Sequence, residues 1–149
     1  MLKPPVTIET LMKEWSQDSH VDPSAMEVEL LKISFLHSKY LNIMSHHRHI
    51  IRKLEKDYKD LKSLKDDYFH GHLNDPDHLA ELGWEPMQHV HSNPKILRML
   101  ETDPDLTKIL LKKTAHEEIV LYCESVMKSL NNRSWDLRNY IEYLKYTKG

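Results

Sequence analysis

Residues 24–70 read SAMEVELLKISFLHSKYLNIMSHHRHIIRKLEKDYKDLKSLKDDYFH. This stretch holds neither glycine nor proline, so the chain runs from Pro23 to Gly71 without a helix breaker. Steps of four and three from Met26 land on Leu30, Ile33, His37, Tyr40, Met44, His47, Ile51, Leu54, Tyr58, Leu61, Lys65 and Tyr68, and ten of these thirteen positions are apolar or aromatic. Side chains at that spacing share one face of an α-helix. A seven-residue repeat is the pattern of helices that pack at a shallow angle. At a rise of about 1.5 Å per residue, a helix filling the stretch reaches roughly 70 Å.

A second stretch repeats the pattern. From Pro104 to Gly149 no breaker occurs, and the seam runs through Leu106, Ile109, Lys113, His116, Val120, Cys123, Met127, Leu130, Ser134, Leu137, Ile141 and Leu144, nine of twelve being apolar. Four pairs, Asp22-Pro23, Asp75-Pro76, Asn93-Pro94 and Asp103-Pro104, read as helix starts. The Asp or Asn accepts a backbone N–H at the N-cap, and the proline has no N–H to leave unpaired. Thr7 is placed to cap a short helix from Ile8 to Ser16, with Leu11, Met12 and Trp15 on one side. The connector, 72–103, accommodates two short helices, Pro76 to Leu82 (stopped by Gly83) and Pro94 to Leu100. Gly71 reads as the left-handed residue that ends the first long helix. Asn131-Asn132 is a candidate interruption of the last one. The predicted fold class is all-α: two long antiparallel-type helices joined by a connector with short helices. The chain reads as a single elongated unit, 1–149, in three parts: 1–70 with the short helix and the long basic helix, the acidic connector 71–103, and a C-terminal helix, 104–149.

Composition narrows the function classes. Three glycines in 149 residues disfavour a phosphate-cradling loop and any fold rich in tight turns. A single cysteine, Cys123, excludes an intrachain disulfide framework and a cysteine-based zinc site. Met1 to Pro5 has no apolar core of the kind a signal peptide needs. The longest apolar run, Ile119 to Cys123, is far too short to span a bilayer. A reducing intracellular setting follows as the default. Two long helices have a large surface and a thin core, and narrow apolar stripes do not stabilise helices of this length in isolation. A homo-oligomer is therefore expected on physical grounds.

The net charge of -2 conceals a segregation. Residues 1–38, 39–65, 66–105 and 106–149 carry balances of -3, +5, -7 and +3. Within the basic block, Arg48, Arg52, Lys56, Lys59 and Lys62 fall on one helix face beside the apolar seam, and Lys65 sits on the seam itself. Repeated in an oligomer, such a face becomes a continuous positive track, which phosphates follow because each neutralised charge releases a counterion. The alternative is a plain solvated face, or one that the acidic connector covers, in a helical structural or assembly protein acting only through protein–protein contacts. Tyr68 and Phe69 follow the basic block and are candidates to stack unpaired bases. Tyr68 closes the seam, which leaves Phe69 as the less constrained of the two. Of the eleven histidines, seven fall in the groups His46-His47-His49, His70-x-His72 and His89-x-His91, and none of these has the spacing of a zinc hydrolase. Cys123 lies in the apolar run, as an inert thiol would, and Glu117-Glu118 reads as a solvated pair. No catalytic residue, metal ligand or cofactor is nominated.

Specific words in the sequence carry a resemblance. They are Leu36-His37-Ser38-Lys39-Tyr40-Leu41, Tyr68-Phe69-His70-Gly71, Leu82-Gly83-Trp84-Glu85-Pro86, and Asn131-Asn132-Arg133-Ser134-Trp135-Asp136-Leu137-Arg138-Asn139 followed by Ile141-Glu142 and a final Gly149. In this order, from about Leu11 to Gly149, they resemble the UvsY family, recombination mediators of large tailed bacteriophages. The Leu-Gly-Trp-Glu-Pro connector is similar to the versions of cyanobacterial phages. The resemblance implies a protein that is not an enzyme. It implies binding to single-stranded DNA, assembly into a ring-like hexamer or heptamer, and help to a RecA-like phage recombinase in replacing the phage single-strand-binding protein. It implies action in the host cell cytoplasm. It marks Lys65 as a DNA-binding place. A second such place falls on Ser63, which departs from the family pattern and has Lys62 beside it. Self-association is implied for Met127 through Leu144, with Met127, Leu130, Trp135, Leu137, Ile141 and Leu144 as the contacts.

Overall fold

The computed structural model describes residues 5–148; residues 1–4 and Gly149, and with them most of the Met1–Pro5 stretch, lie outside the described residues. The elements are α1 (Ile8–Asp18), α2 (Met26–Phe69), α3 (Pro76–Leu82), α4 (Asn93–Glu101) and α5 (Pro104–Lys148). No strand occurs among the described residues, so the class is all-α.

The caps explain most boundaries. Thr7 and Thr10 form a reciprocal pair at the start of α1: the Thr10 N–H donates to Thr7 Oγ1 at 3.2 Å and the Thr7 N–H to Thr10 Oγ1 at 2.9 Å. Asp75 caps α3 and accepts from the Asp77 N–H. Asp103 caps α5 and accepts from the Leu106 N–H at 3.0 Å. Gly71 and Gly83 adopt φ values of 76° and 73°, the left-handed region where a Cβ is costly, and each stops a helix.

Three boundaries differ from the sequence reading. Asp22 does not start α2: its carboxylate accepts from the Ser24 N–H and hydroxyl at 2.9 and 2.7 Å, its carbonyl accepts from the Ala25 N–H, and the helix begins at Met26. The cap of α4 is Ser92 rather than Asn93. Asn93 is already helical, and its side-chain oxygen is turned to His70 Nε2 at 3.3 Å. Finally, α5 runs unbroken through Asn131-Asn132. Both amides are exposed while the neighbouring Leu130 is fully buried, so packing on one side holds the helix and water solvates the other.

The chain divides into two compact units. Unit 1 takes the described parts of Met1–His49 and Ala115–Gly149. Its buried residues include Leu11, Leu36, Tyr40, Met44, Ile119, Cys123, Val126, Leu130 and Leu137. The Tyr40 ring meets Trp15 edge-on at 5.5 Å, and its hydroxyl donates to Asp18 at 2.9 Å. The same carboxylate accepts from Lys39 at 2.6 Å, and Glu14 pairs with Lys39 at 2.8 Å. Arg133 donates to the Ser19 carbonyl at 2.8 Å and covers the Trp15 ring. Unit 2, Ile50–Thr114, is built on Phe69, Ile96, Leu100 and Leu106, with Tyr58, Leu61, Tyr68, Met87 and Met99 packed around them.

One polar insertion from each seam of unit 1 meets the other. His47 on α2 and His116 on α5 bring their Nδ1 atoms to 2.8 Å, so one ring donates and the other accepts. Burial, with the neighbouring His116 and His46 adding to it, holds His47 below the usual imidazole range. Burial and His46 do the same for His116. Below about pH 6.5 the unfolded chain takes up protons that the folded pair refuses, so stability falls as the pH drops through this range. In urea denaturation at pH 7.5 and pH 5.5, the midpoint should fall on acidification, and His47→Gln should shrink that difference.

Candidate nucleic-acid interface

The basic face of α2 occupies its middle. Arg48 belongs to unit 1, where its guanidinium pairs with Glu124 at 2.8 Å, both side chains about half exposed. Arg52, Lys56, Lys59 and Lys62 belong to unit 2 and all four are exposed. Lys56 pairs with Asp60 one turn on at 2.7 Å, an exposed contact whose hydrogen bond raises the lysine's pKa and contributes little to stability. Among the described residues Arg52 and Lys59 have no carboxylate partner. Lys62 stands over the Tyr58 ring, 5.9 Å from its centroid.

Two residues of the sequence-predicted site face inward. Lys65 is 7% exposed and donates to Asp103 at 2.9 Å and to Asp105 at 2.8 Å. Its ammonium also lies 4.8 Å from the centre of the Trp84 ring. Burial opposes its charge, but the two carboxylates outweigh that and hold its pKa above the usual lysine value. The hydrogen bond from Lys65 lowers the pKa of Asp105 in turn. Phe69, which the sequence leaves as the less constrained aromatic, is 8% exposed in the core cluster of unit 2. The helical step decides both: Lys65 and Phe69 are four residues apart and share the side of α2 that meets α4 and the start of α5. Tyr68 is half-buried against Trp84, at 4.9 Å between rings, and its hydroxyl donates to the Glu85 carbonyl.

The structure adds residues that the sequence reading passed over. Lys113, a polar insertion in the second seam, reaches Glu55 at 3.3 Å and joins Tyr58, Lys59, Lys62 and Leu110 around one groove. A second groove lies on the other side of Lys59 and Lys62, lined also by Ser63, Asp66, Leu97 and Leu100. The available signal was the polar residue in an apolar register, which marks a lysine aimed at the neighbouring helix.

The predicted oligomerisation residues separate by burial. Leu130 and Leu137 lie in the core of unit 1, Met127, Ile141 and Leu144 are half-buried, and Trp135 is 67% exposed. Among the described residues no group of three or more His, Cys, Asp or Glu side chains is placed to hold a metal ion. No helix of the described residues is long and apolar enough to cross a membrane.

The model of the family described as recombination, repair and ssDNA binding protein UvsY matches residues 14–149. The chain belongs to the UvsY family. Its fold is that of the crystal structures of the bacteriophage T4 recombination mediator protein UvsY. Lattice type II of that protein superposes with a TM-score of 0.82 at 19% identity, covering 97% of this chain and 100% of the other. Lattice type IV gives 0.81 at 17% identity, covering 95% and 99%. No curated protein matches the chain in sequence. Of the two places that the UvsY resemblance marks for DNA, Ser63 is exposed with Lys62 exposed beside it, while Lys65 is enclosed by Asp103 and Asp105.

Removing a partner from a buried ion pair leaves an uncompensated charge. Lys65→Met should therefore destabilise the protein by about 3 kcal/mol or more, read as a lowered urea midpoint.

Proposed function

We propose that this UvsY-family chain is a recombination mediator that binds single-stranded DNA and helps load a RecA-like phage recombinase onto DNA covered by single-strand-binding protein. The observation that carries the reading is the state of the basic face. Arg52, Lys56, Lys59 and Lys62 are exposed on one side of α2, and among the described residues Lys65 is the only predicted basic residue that forms an ion pair with the acidic stretch 66–105. A protein acting solely through protein contacts would have its acidic connector on that face. The strand contacts are assigned to Arg52, Lys56, Lys59 and Lys62 of unit 2. Lys65 and Phe69 hold the end of α2 in place. No catalytic step is part of this reading, and the site of action is the host cell cytoplasm.

Several copies are part of the mechanism. Trp135 is the largest exposed apolar side chain in the predicted self-association stretch, and Ile141 and Leu144 line a groove with Met26, Val28 and Tyr140 in unit 1. A ring-like hexamer or heptamer built through these residues repeats the basic face once per subunit, and linked weak sites bind far more tightly than one. A strand drawn along such a path bends, loosens the resident binding protein and exposes DNA to the recombinase.

Fluorescence anisotropy with an oligonucleotide checks the face. Affinity should fall with salt at a log–log slope of about -0.7 per phosphate contact. Lys59→Ala combined with Lys62→Ala should weaken binding and make the slope shallower by about 1.4, with an unchanged native mass. Unaltered affinity would assign the strand to another surface. Trp135→Ala should lower the native mass measured by light scattering, and with it the affinity for long oligonucleotides.

A further inference from the structure

Resting on the reading of this chain as a single-strand binder, the geometry points to a base-binding groove in unit 2. Tyr58 and Leu110 receive one unpaired base there, and Lys59, Lys62 and Lys113 hold the flanking phosphates. The groove lies between α2 and α5 and has a volume of about 500 Å³, within the range of small-ligand sites. Three ammonium groups and one carboxylate, Glu55, surround it. Tyr58 packs against the Phe69, Ile96, Leu100 and Leu106 cluster, so its ring is held by the core while the half-exposed remainder lines the groove beneath Lys62. Leu110 is 41% exposed and forms an apolar wall of the groove.

A flat apolar ring joined to anionic phosphates is the ligand chemistry that matches such a surface. Aromatic side chains stack with any base, which suits a protein that must bind a strand of arbitrary sequence. The Lys62 ammonium lies over the face of Tyr58 and Glu55 holds Lys113 across the groove. Both cations change partners as the strand enters: Lys62 swings outward to a phosphate and uncovers the ring, and a phosphate takes the place of Glu55 at Lys113. Duplex DNA keeps its bases stacked within the helix and has none to offer, so the groove distinguishes single from double strands. The neighbouring groove beyond Lys59 and Lys62 contains no aromatic residue and carries Asp66 on its lining, so it lacks the stacking surface.

The test compares a thymidine oligonucleotide with an abasic deoxyribose–phosphate chain of equal length, both measured by anisotropy. The native protein should prefer the thymidine strand by about tenfold. Tyr58→Leu, which keeps apolar bulk, should lose that preference with little change for the abasic chain, and Tyr58→Phe should retain it. Glu55→Gln should tighten both strands, since it removes the competing carboxylate. Equal binding of the two strands by the native protein, or an undiminished preference in Tyr58→Leu, overturns the groove. If in that case Lys59→Ala with Lys62→Ala still weakens both strands, the DNA-binding reading survives without it. If neither strand binds the native protein, both fall. Photocross-linking of the native protein with a 5-iodouracil oligonucleotide needs no variant: attachment at Tyr58 supports the groove, and attachment only elsewhere refutes it.

Discussion

A lysine taken out of water must be answered by carboxylates, and in unit 2 that requirement organises everything around it. Lys65 is answered twice, by Asp103 and Asp105. Asp103 has a second duty, since its other oxygen caps α5 at the Leu106 N–H. One carboxylate thus fixes the start of one long helix against the end of another. Trp84 lies under the ammonium, and Tyr68 packs against Trp84, so the connector is drawn into the same arrangement. An isolated buried charge would be strongly destabilising; a charge with two acceptors and an aromatic face specifies one register of α2 against α5.

That register decides which cations remain outside. On a helix, residues three and four apart share a side, and a turn inward for Lys65 and Phe69 is a turn outward for Arg52, Lys56 and Lys59. The inward lysine is neutralised within the subunit, whereas the outward ones face water. The weakly paired Lys56 costs little to redirect, because an exposed ion pair is worth a few tenths to one kcal/mol at most. Stability therefore rests on the enclosed lysine, and the proposed strand contacts fall to the exposed ones of the same helix.

The seven-residue seams make both long helices legible in the sequence alone, and the Thr7, Asp75 and Asp103 caps are readable from side chains that can accept a nearby backbone N–H. What escaped was information about partners. Asp22 has the chemistry of a cap, but Ser24 competes for its carboxylate; Asn93 has it too, but His70 lies within reach. Asn131-Asn132 looks like a break until Leu130 is found fully buried beside it. Leu130 and Leu137 are spent inside unit 1, whereas Trp135, at another angle on the same helix, is left outside. Periodicity gives an angle around a helix and is silent on what stands opposite. The inward placing of Lys65 and Phe69 and the groove around Tyr58 and Lys113 go unseen in the sequence for that reason, since each depends on α4 or α5 standing beside α2. The histidine insertions at 47 and 116 show the same thing from the favourable side: two apparent flaws in separate seams become each other's hydrogen-bond partner.

Cys123 is wholly enclosed in unit 1, and burial, with Glu124 nearby, pushes its thiol up to about 11. Only the thiolate reacts with alkylating reagents, and here it is both scarce and unreachable while the helices stay packed. The sole sulfhydryl of the chain is thereby a built-in clock for local opening: its rate of modification counts how often α5 parts from its neighbours, at one known depth and without any introduced label.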